Sequence, residues 1–191
     1  VEIINEDILK LDVKQLISGE KAENVKIMGN LPYYITTPII MKLLEDGVKA
    51  DSITIMMQKE VADRIKASPG TKAYGALSVA VQYYCTVEKI ADAPRSAFVP
   101  QPNVDSTVLK LHMRSERGAE IGDEKLFFDC VKAAFSQRRK TLLNSMQTLK
   151  GADRELIRDT LEAAGIDPAR RAETLTIEEF ARIANEVEKR L

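Results

Sequence analysis

Val25-Lys26-Ile27-Met28-Gly29-Asn30-Leu31-Pro32-Tyr33-Tyr34-Ile35-Thr36-Thr37-Pro38-Ile39-Ile40 is the stretch that decides how this chain folds. Residues 25–28 have the length and apolar texture of a buried strand, and Gly29-Asn30 ends it. Thr37-Pro38 then reads as a helix N-cap followed by proline at the first helical position, where the missing N–H is not needed. Ile39, Ile40, Leu43 and Leu44 recur at the spacing of one helical face, and Gly47 fits the C-terminal cap. A strand that passes through a short loop into a helix is the repeating unit of an α/β sheet. Open sheets of this kind bind ligands at the carboxyl ends of their strands.

The same alternation extends in both directions. Upstream, Val1-Glu2-Ile3-Ile4 alternates like a strand with no initiator methionine before it, so the chain is expected to begin inside a sheet, as a piece of a longer protein. Downstream, residues 53–57 read as a strand running into a helix at 59–66, and Ser68-Pro69-Gly70 breaks the chain. A helix at 75–84 and strands at 86–90 and 104–113 follow. Beyond Arg114 the texture changes. Residues 115–122 are polar, carry two glycines and read as a linker. One long amphipathic helix is expected from 125 to about 147, and a second over 153–164, stopped by Gly165. Asp167-Pro168 opens a short helical turn, and Thr176 with Glu179 forms the capping box of a last helix faced by Phe180, Ile183, Ala184, Val187 and Leu191. The expected fold is an α/β domain over 1–116 followed by a small all-helical domain over 117–191.

At 191 residues and 45% hydrophobic, the chain can bury a core for one large or two small domains. Its net charge of −1 does not announce a nucleic-acid binder, but affinity for phosphates depends on where charges sit. From 125 to 150 there are six Lys/Arg against one acid, Asp129; from 151 onward there are seven against ten. On the expected long helix, Arg138 lies four residues from both Ala134 and Leu142, in line with the apolar stripe. Its guanidinium must therefore be paired, with a carboxylate across the domain boundary or with phosphate. Arg139 and Lys140 read as solvated or phosphate-facing. Cys85 and Cys130 form neither a CxxC pair nor a metal-ligand spacing and read as buried reduced thiols, so no metal is expected. His112, near a strand end, reads as structural. No apolar run reaches membrane-spanning length and no basic-then-apolar leader is present, which suggests a cytoplasmic protein with no membrane partner.

Two segments carry chemistry. Asn30-Leu31-Pro32-Tyr33 sits between strand and helix, at the ligand-binding end of the sheet. An exocyclic adenine amine is a poor nucleophile because its lone pair is delocalised into the ring. The Asn30 amide oxygen and the Leu31 carbonyl can accept hydrogen bonds from such an NH2 group and favour a tetrahedral nitrogen. Pro32 stiffens the loop, and the ring of Tyr33, without need of its hydroxyl, offers a surface on which an extruded base stacks. The plainer alternative is an ordinary strand-to-helix turn. The second segment, Ser96-Ala97-Phe98-Val99-Pro100-Gln101-Pro102-Asn103-Val104-Asp105-Ser106, holds Phe98 between spaced prolines. Phe98 reads either as a second wall of a base clamp opposite Tyr33 or as part of a loop packed back onto the core.

Together with Asn5-Glu6-Asp7-Ile8-Leu9, Gln58-Lys59-Glu60-Val61-Ala62-Asp63-Arg64, Tyr74-Gly75-Ala76-Leu77-Ser78, Phe135-Ser136-Gln137-Arg138-Arg139-Lys140-Thr141-Leu142 and Arg171-Ala172-Glu173-Thr174-Leu175, these segments resemble a known family nearly end to end. It is the KsgA-type small-subunit ribosomal-RNA adenine N6,N6-dimethyltransferases. The resemblance implies a partial Rossmann-like class I methyltransferase sheet and S-adenosyl-L-methionine as cofactor. The implied substrate is two adjacent adenosines near the 3′ end of small-subunit ribosomal RNA, met in a pre-30S particle by a monomer. It further implies that Asp7, with Ile8 beside it, binds the cofactor's adenine amino group. Asn30 serves both cofactor and target amine, Tyr33 and Phe98 hold the target base, and Arg138, Arg139 and Lys140 contact RNA. The family's glycine-rich cofactor loop lies upstream of Val1, so the chain alone is expected to transfer little methyl. A non-catalytic relative acting in ribosome assembly or transcription is the main alternative. The sister group that modifies large-subunit RNA resembles the 138–140 and 171–175 segments less closely.

Overall fold

In the computed structural model, which describes residues 1–19 and 24–191, a short helix α1 (Val13–Gly19) precedes the first strand. β1 (Lys26–Asn30) and β2 (Ser52–Gln58) lie parallel, with Ile27 beside Ile53 and Asn30 beside Met56. Parallel neighbours need a crossover, and α2 (Thr36–Glu45) lies in it. β3 (Cys85–Ala93) and β4 (Ser106–Met113) are antiparallel, and β4 inserts between β2 and β3 to give the order β1-β2-β4-β3. The β2–β4 register sets Ile53 opposite Leu111 and Ile55 opposite Leu109, all four buried. Period-two alternation turns Thr54 and Met56 to the other face, opposite Lys110 and Val108.

The remaining helices are α3 (Lys59–Lys66), α4 (Ala76–Tyr84), α5 (Glu124–Phe135), α6 (Leu142–Ser145), α7 (Arg154–Ala163) and α8 (Ile177–Glu188). Contacts divide the chain into one unit of residues 1–62 and 84–115 and another of 63–83 and 116–191. The mixed α/β sheet followed by helices agrees with the sequence, but packing does not respect a single cut after residue 116. Tyr74 meets Phe135 edge-on with ring centroids 6.0 Å apart, and Tyr83 lies 5.1 Å from Phe127 and 5.6 Å from Phe128. Gly70 N–H also donates to the Glu173 carbonyl at 2.7 Å. These aromatic contacts assign 63–83 to the helical unit, because large rings bury most where other rings can cover them.

Four further expectations are corrected. Val1-Glu2-Ile3-Ile4 is not a strand: its side chains are exposed and no strand pairs with it among the described residues. Alternation becomes a strand only beside a partner's backbone. The helix after β1 starts at Thr36, with Ile35 in the capping position, so Pro38 occupies the third residue of the first turn, where an N–H is still not needed by the helix. The long helix expected to about 147 ends at Phe135. The Ser136 hydroxyl donates to the Ala133 carbonyl at 2.7 Å, competing with the helical ladder. Leu142 N–H and Leu143 N–H then donate to the Arg170 and Pro168 carbonyls, so a distant segment captures donors that a continuous helix would use. Finally, α8 stops at Glu188 and Leu191 is exposed, although Phe180, Ile183, Ala184 and Val187 are buried as the pattern requires.

Several local expectations hold. Gly47 and Gly165 adopt φ of +63° and +71° just past α2 and α7, a conformation only glycine takes without strain. Thr176 and Glu179 form the reciprocal capping box. Arg170 hydrogen-bonds both Glu179 oxygens, at 2.6 and 3.0 Å, and holds that carboxyl below the usual carboxylate range. Cys85 and Cys130 are buried and in no disulfide, and the Cys85 thiol donates to Met113 Sδ at 3.5 Å. His112 Nε2 lies 2.8 Å from Glu88 across the β3–β4 pair.

Candidate active site

β1 delivers Asn30 to its carboxyl end, where the chain turns at once into α2. The turn is pinned from inside: the Pro32 carbonyl accepts both Ile35 N–H and the Thr36 hydroxyl, each at 3.1 Å. Thr36 is buried, so the bond that fixes the loop is shielded from water. Asn30 is exposed, and its side-chain amide makes no hydrogen bond among the described residues.

The 95–105 segment approaches from the strand pair on the other side. Arg95 N–H donates to the Asp105 carboxylate at 2.9 Å, and the Asp105 carbonyl accepts Lys59 N–H at 2.9 Å. A 3-10 turn at Arg95–Ala97 then presents Phe98, half-buried. Asn30, Leu31, Pro32, Tyr33 and Phe98 line one open cleft of about 360 Å³, completed by Met56, Pro100 and Pro102. The two segments that the sequence set apart by more than sixty residues are therefore one site, within a single unit of the chain. A cleft of that size with aromatic and proline walls suits one planar heterocycle.

The Tyr33 and Ser106 hydroxyls share a 2.6 Å hydrogen bond, and Ser106, the first residue of β4, is fully buried. The Tyr33 ring is thus held by its hydroxyl, which revises the expectation that only the ring matters. Ser106 and Met56 were not expected in the site. Met56 was legible from alternation: on β2 it faces away from buried Ile55 and Met57, two residues before the strand's carboxyl end. Nothing local in the sequence marks Ser106, because its role depends on the β2–β4–β3 register.

Asp7 and Ile8 do not line this cleft. Asp7 is exposed, and one carboxylate oxygen accepts Leu9 N–H at 3.0 Å, a local turn cap. The basic segment 138–140 lies in the turn between α5 and α6, not on a helix face. Arg138 is half exposed; its Nε lies 3.4 Å from a Glu173 oxygen, and its guanidinium donates to the Lys72 carbonyl. Glu173 belongs to the same helical unit as Arg138, so this ion pair is not the one across the domain boundary that the sequence suggested. Arg139 and Lys140 are exposed and enter no ion pair among the described residues.

The family model described as ribosomal RNA adenine dimethylase matches residues 1–189. A ribosomal RNA small subunit methyltransferase A from Clostridioides difficile (strain 630) is 55% identical over 185 residues, covering 96% of this chain and 64% of that protein. Its counterpart from Alkaliphilus metalliredigens (strain QYMF) is 52% identical over 192 residues, covering 100% of this chain and 67% of the other. Among solved structures, a dimethyladenosine transferase from Plasmodium falciparum is similar with a TM-score of 0.79 at 25% identity, over 98% of this chain and 72% of that one. This chain spans about two thirds of the length of the curated relatives it matches.

Proposed function

The chain belongs to the ribosomal RNA adenine dimethylase family, and from that membership we propose that it is the part of a small-subunit ribosomal-RNA methyltransferase that receives the target adenine. The proposed reaction is S-adenosyl-L-methionine-dependent N6-dimethylation of two adjacent adenosines near the RNA's 3′ end, in the cytoplasm, by a monomer acting on a pre-30S particle. The observation that carries this reading is the convergence of Asn30, Leu31, Pro32, Tyr33 and Phe98 on one cleft.

The residues present fit the cofactor in their acceptor chemistry. Asp7 keeps one carboxylate oxygen with no hydrogen bond among the described residues, and the Asn30 amide is open. Asp7, with Ile8 beside it, would hold the cofactor's adenine end, and Asn30 would face both cofactor and target. When bound, S-adenosylmethionine supplies an electrophilic methyl group. The chain's own part is to prepare the nitrogen. The Asn30 amide oxygen and the Leu31 carbonyl accept hydrogen bonds from the adenine amine and draw its lone pair out of conjugation, an interaction that strengthens as the nitrogen becomes tetrahedral. Tyr33 and Phe98 hold the base, which has to leave its stack to reach this depth. Arg139 and Lys140 take RNA phosphates, and Arg138 braces their turn through Glu173.

The test uses a chimera in which this chain replaces the matching residues of a full-length relative. Labelled methyl should enter small-subunit RNA at two adjacent adenines, mapped by reverse-transcription stops. Methyl appearing only in large-subunit RNA, or in neither, would overturn the reading.

A further inference from the structure

One face of α5 carries Lys125, Asp129 and Lys132, and Ser136 caps the helix end. With Thr148 and Lys150, which follow α6, these residues line an open groove of about 540 Å³ in the helical unit. The groove holds three ammonium groups against one carboxylate. Lys125 reaches Asp129 only at 3.5 Å and is 88% exposed, while Lys132 and Lys150 enter no ion pair among the described residues. At its far end the Ser136 and Thr148 hydroxyls lie 3.3 Å apart, fixed by bonds to the Ala133 and Ser145 carbonyls.

Three ammonium groups beside one carboxylate make the groove locally positive in a chain of net charge −1, and a groove of one sign concentrates field toward a polyanion. We propose that this groove is a second RNA contact that takes backbone phosphates on Lys125, Lys132 and Lys150, apart from the adenine cleft and from Arg139 and Lys140. The proposal rests on the reading that ribosomal RNA is the partner. The groove's chemistry favours RNA over other anionic surfaces. Leu126, Ala133 and Leu149 also line it, but Ala133 and Leu149 are buried and Leu126 is half-buried, so no large apolar side chain stands out to anchor a protein partner or a lipid surface. Lysines are flexible point charges, which suits phosphate contacts that position a nucleic acid without reading its sequence.

The experiment measures binding of this chain to a labelled small-subunit ribosomal RNA fragment by fluorescence anisotropy across a salt series. Lys125→Gln/Lys132→Gln/Lys150→Gln should lower the log–log salt slope by about 0.7 to 0.9 for each lysine. The decrease should recur on top of Arg139→Ala/Lys140→Ala. Asp129→Asn should act in the opposite direction and tighten binding several-fold at low salt. All four positions are surface residues, and circular dichroism checks that each variant is folded. An unchanged slope in the triple variant, with Asp129→Asn silent, overturns the groove while leaving the RNA reading intact. Transfer of the charge dependence to phosphatidylserine-containing vesicles, with the RNA slope unchanged, also overturns it. A chain that binds no RNA at all overturns both.

Discussion

The cleft at 30–33 and the basic turn at 138–140 hold their functional groups in opposite ways. In the cleft every supporting group is tethered. Ile35 N–H and Thr36 fix the Pro32 carbonyl, Ser106 fixes the Tyr33 hydroxyl, and Asp105 fixes the backbone before Phe98. Asn30, the group proposed to meet the reacting amine, is the one left open. In the basic turn only Arg138 is tethered, to Glu173 and the Lys72 carbonyl, and Arg139 and Lys140 extend into solvent. The proposed tasks account for the difference. Bringing a weak nucleophile into line depends on geometry at the scale of tenths of an ångström, whereas holding a polyanion depends on charge and tolerates mobile side chains. Damage to the cleft should therefore appear in rate, and damage to the turn in affinity.

The largest expected effect is in the cleft. In the full-length chimera, Asn30→Ala should cut the methyl-transfer rate about 100-fold or more, while RNA affinity measured by anisotropy stays within about two-fold. A comparable fall in affinity would make Asn30 structural and erase the contrast. Next come the rings. Tyr33→Ala and Phe98→Ala should each lose roughly 1–3 kcal/mol of base placement, visible as about ten-fold or greater losses in rate, with partial recovery when another aromatic is placed at 98.

The basic turn should respond in a different observable. Arg139→Ala/Lys140→Ala should lower the log–log salt slope of RNA binding by about 0.7 to 0.9 per residue and leave the rate at saturating RNA unchanged. The smallest effect sharpens the comparison within the cleft. Tyr33→Phe and Ser106→Ala each remove the same tether, so each should slow transfer by a few-fold, in line with about 1 kcal/mol for a hydrogen bond, and the double variant should be no worse than either alone. Additive losses would mean that the two hydroxyls act separately.

The two regions also differ in how far the sequence exposes them. The strand, loop and helix around 25–44 depend on neighbours in the chain, and local pattern places all of them to within a residue or two. Phe98 was legible as a ring held between prolines, its pairing with Tyr33 was one of two readings open from the residues, and the family resemblance favoured that one. The basic turn was misread as helix because hydrophobic periodicity runs on through Phe135, Leu142 and Met146. The break depends on the Arg170 and Pro168 carbonyls, more than twenty residues away, which no local window contains. The same holds for 63–83, whose tyrosines reach rings on α5. The Ser106 tether is likewise created by strand register alone.

The central claim is that rate and affinity are divided between the two regions, and single-turnover methyl transfer measured against RNA concentration tests it most directly. In the chimera carrying Asn30→Ala, Arg139→Ala and Lys140→Ala together, the plateau rate should fall as far as it does for Asn30→Ala alone. The half-saturating RNA concentration should rise as far as it does for the basic pair alone. If Asn30→Ala by itself moves the half-saturation point as strongly as the plateau, or if the basic pair by itself lowers the plateau, the division is contradicted.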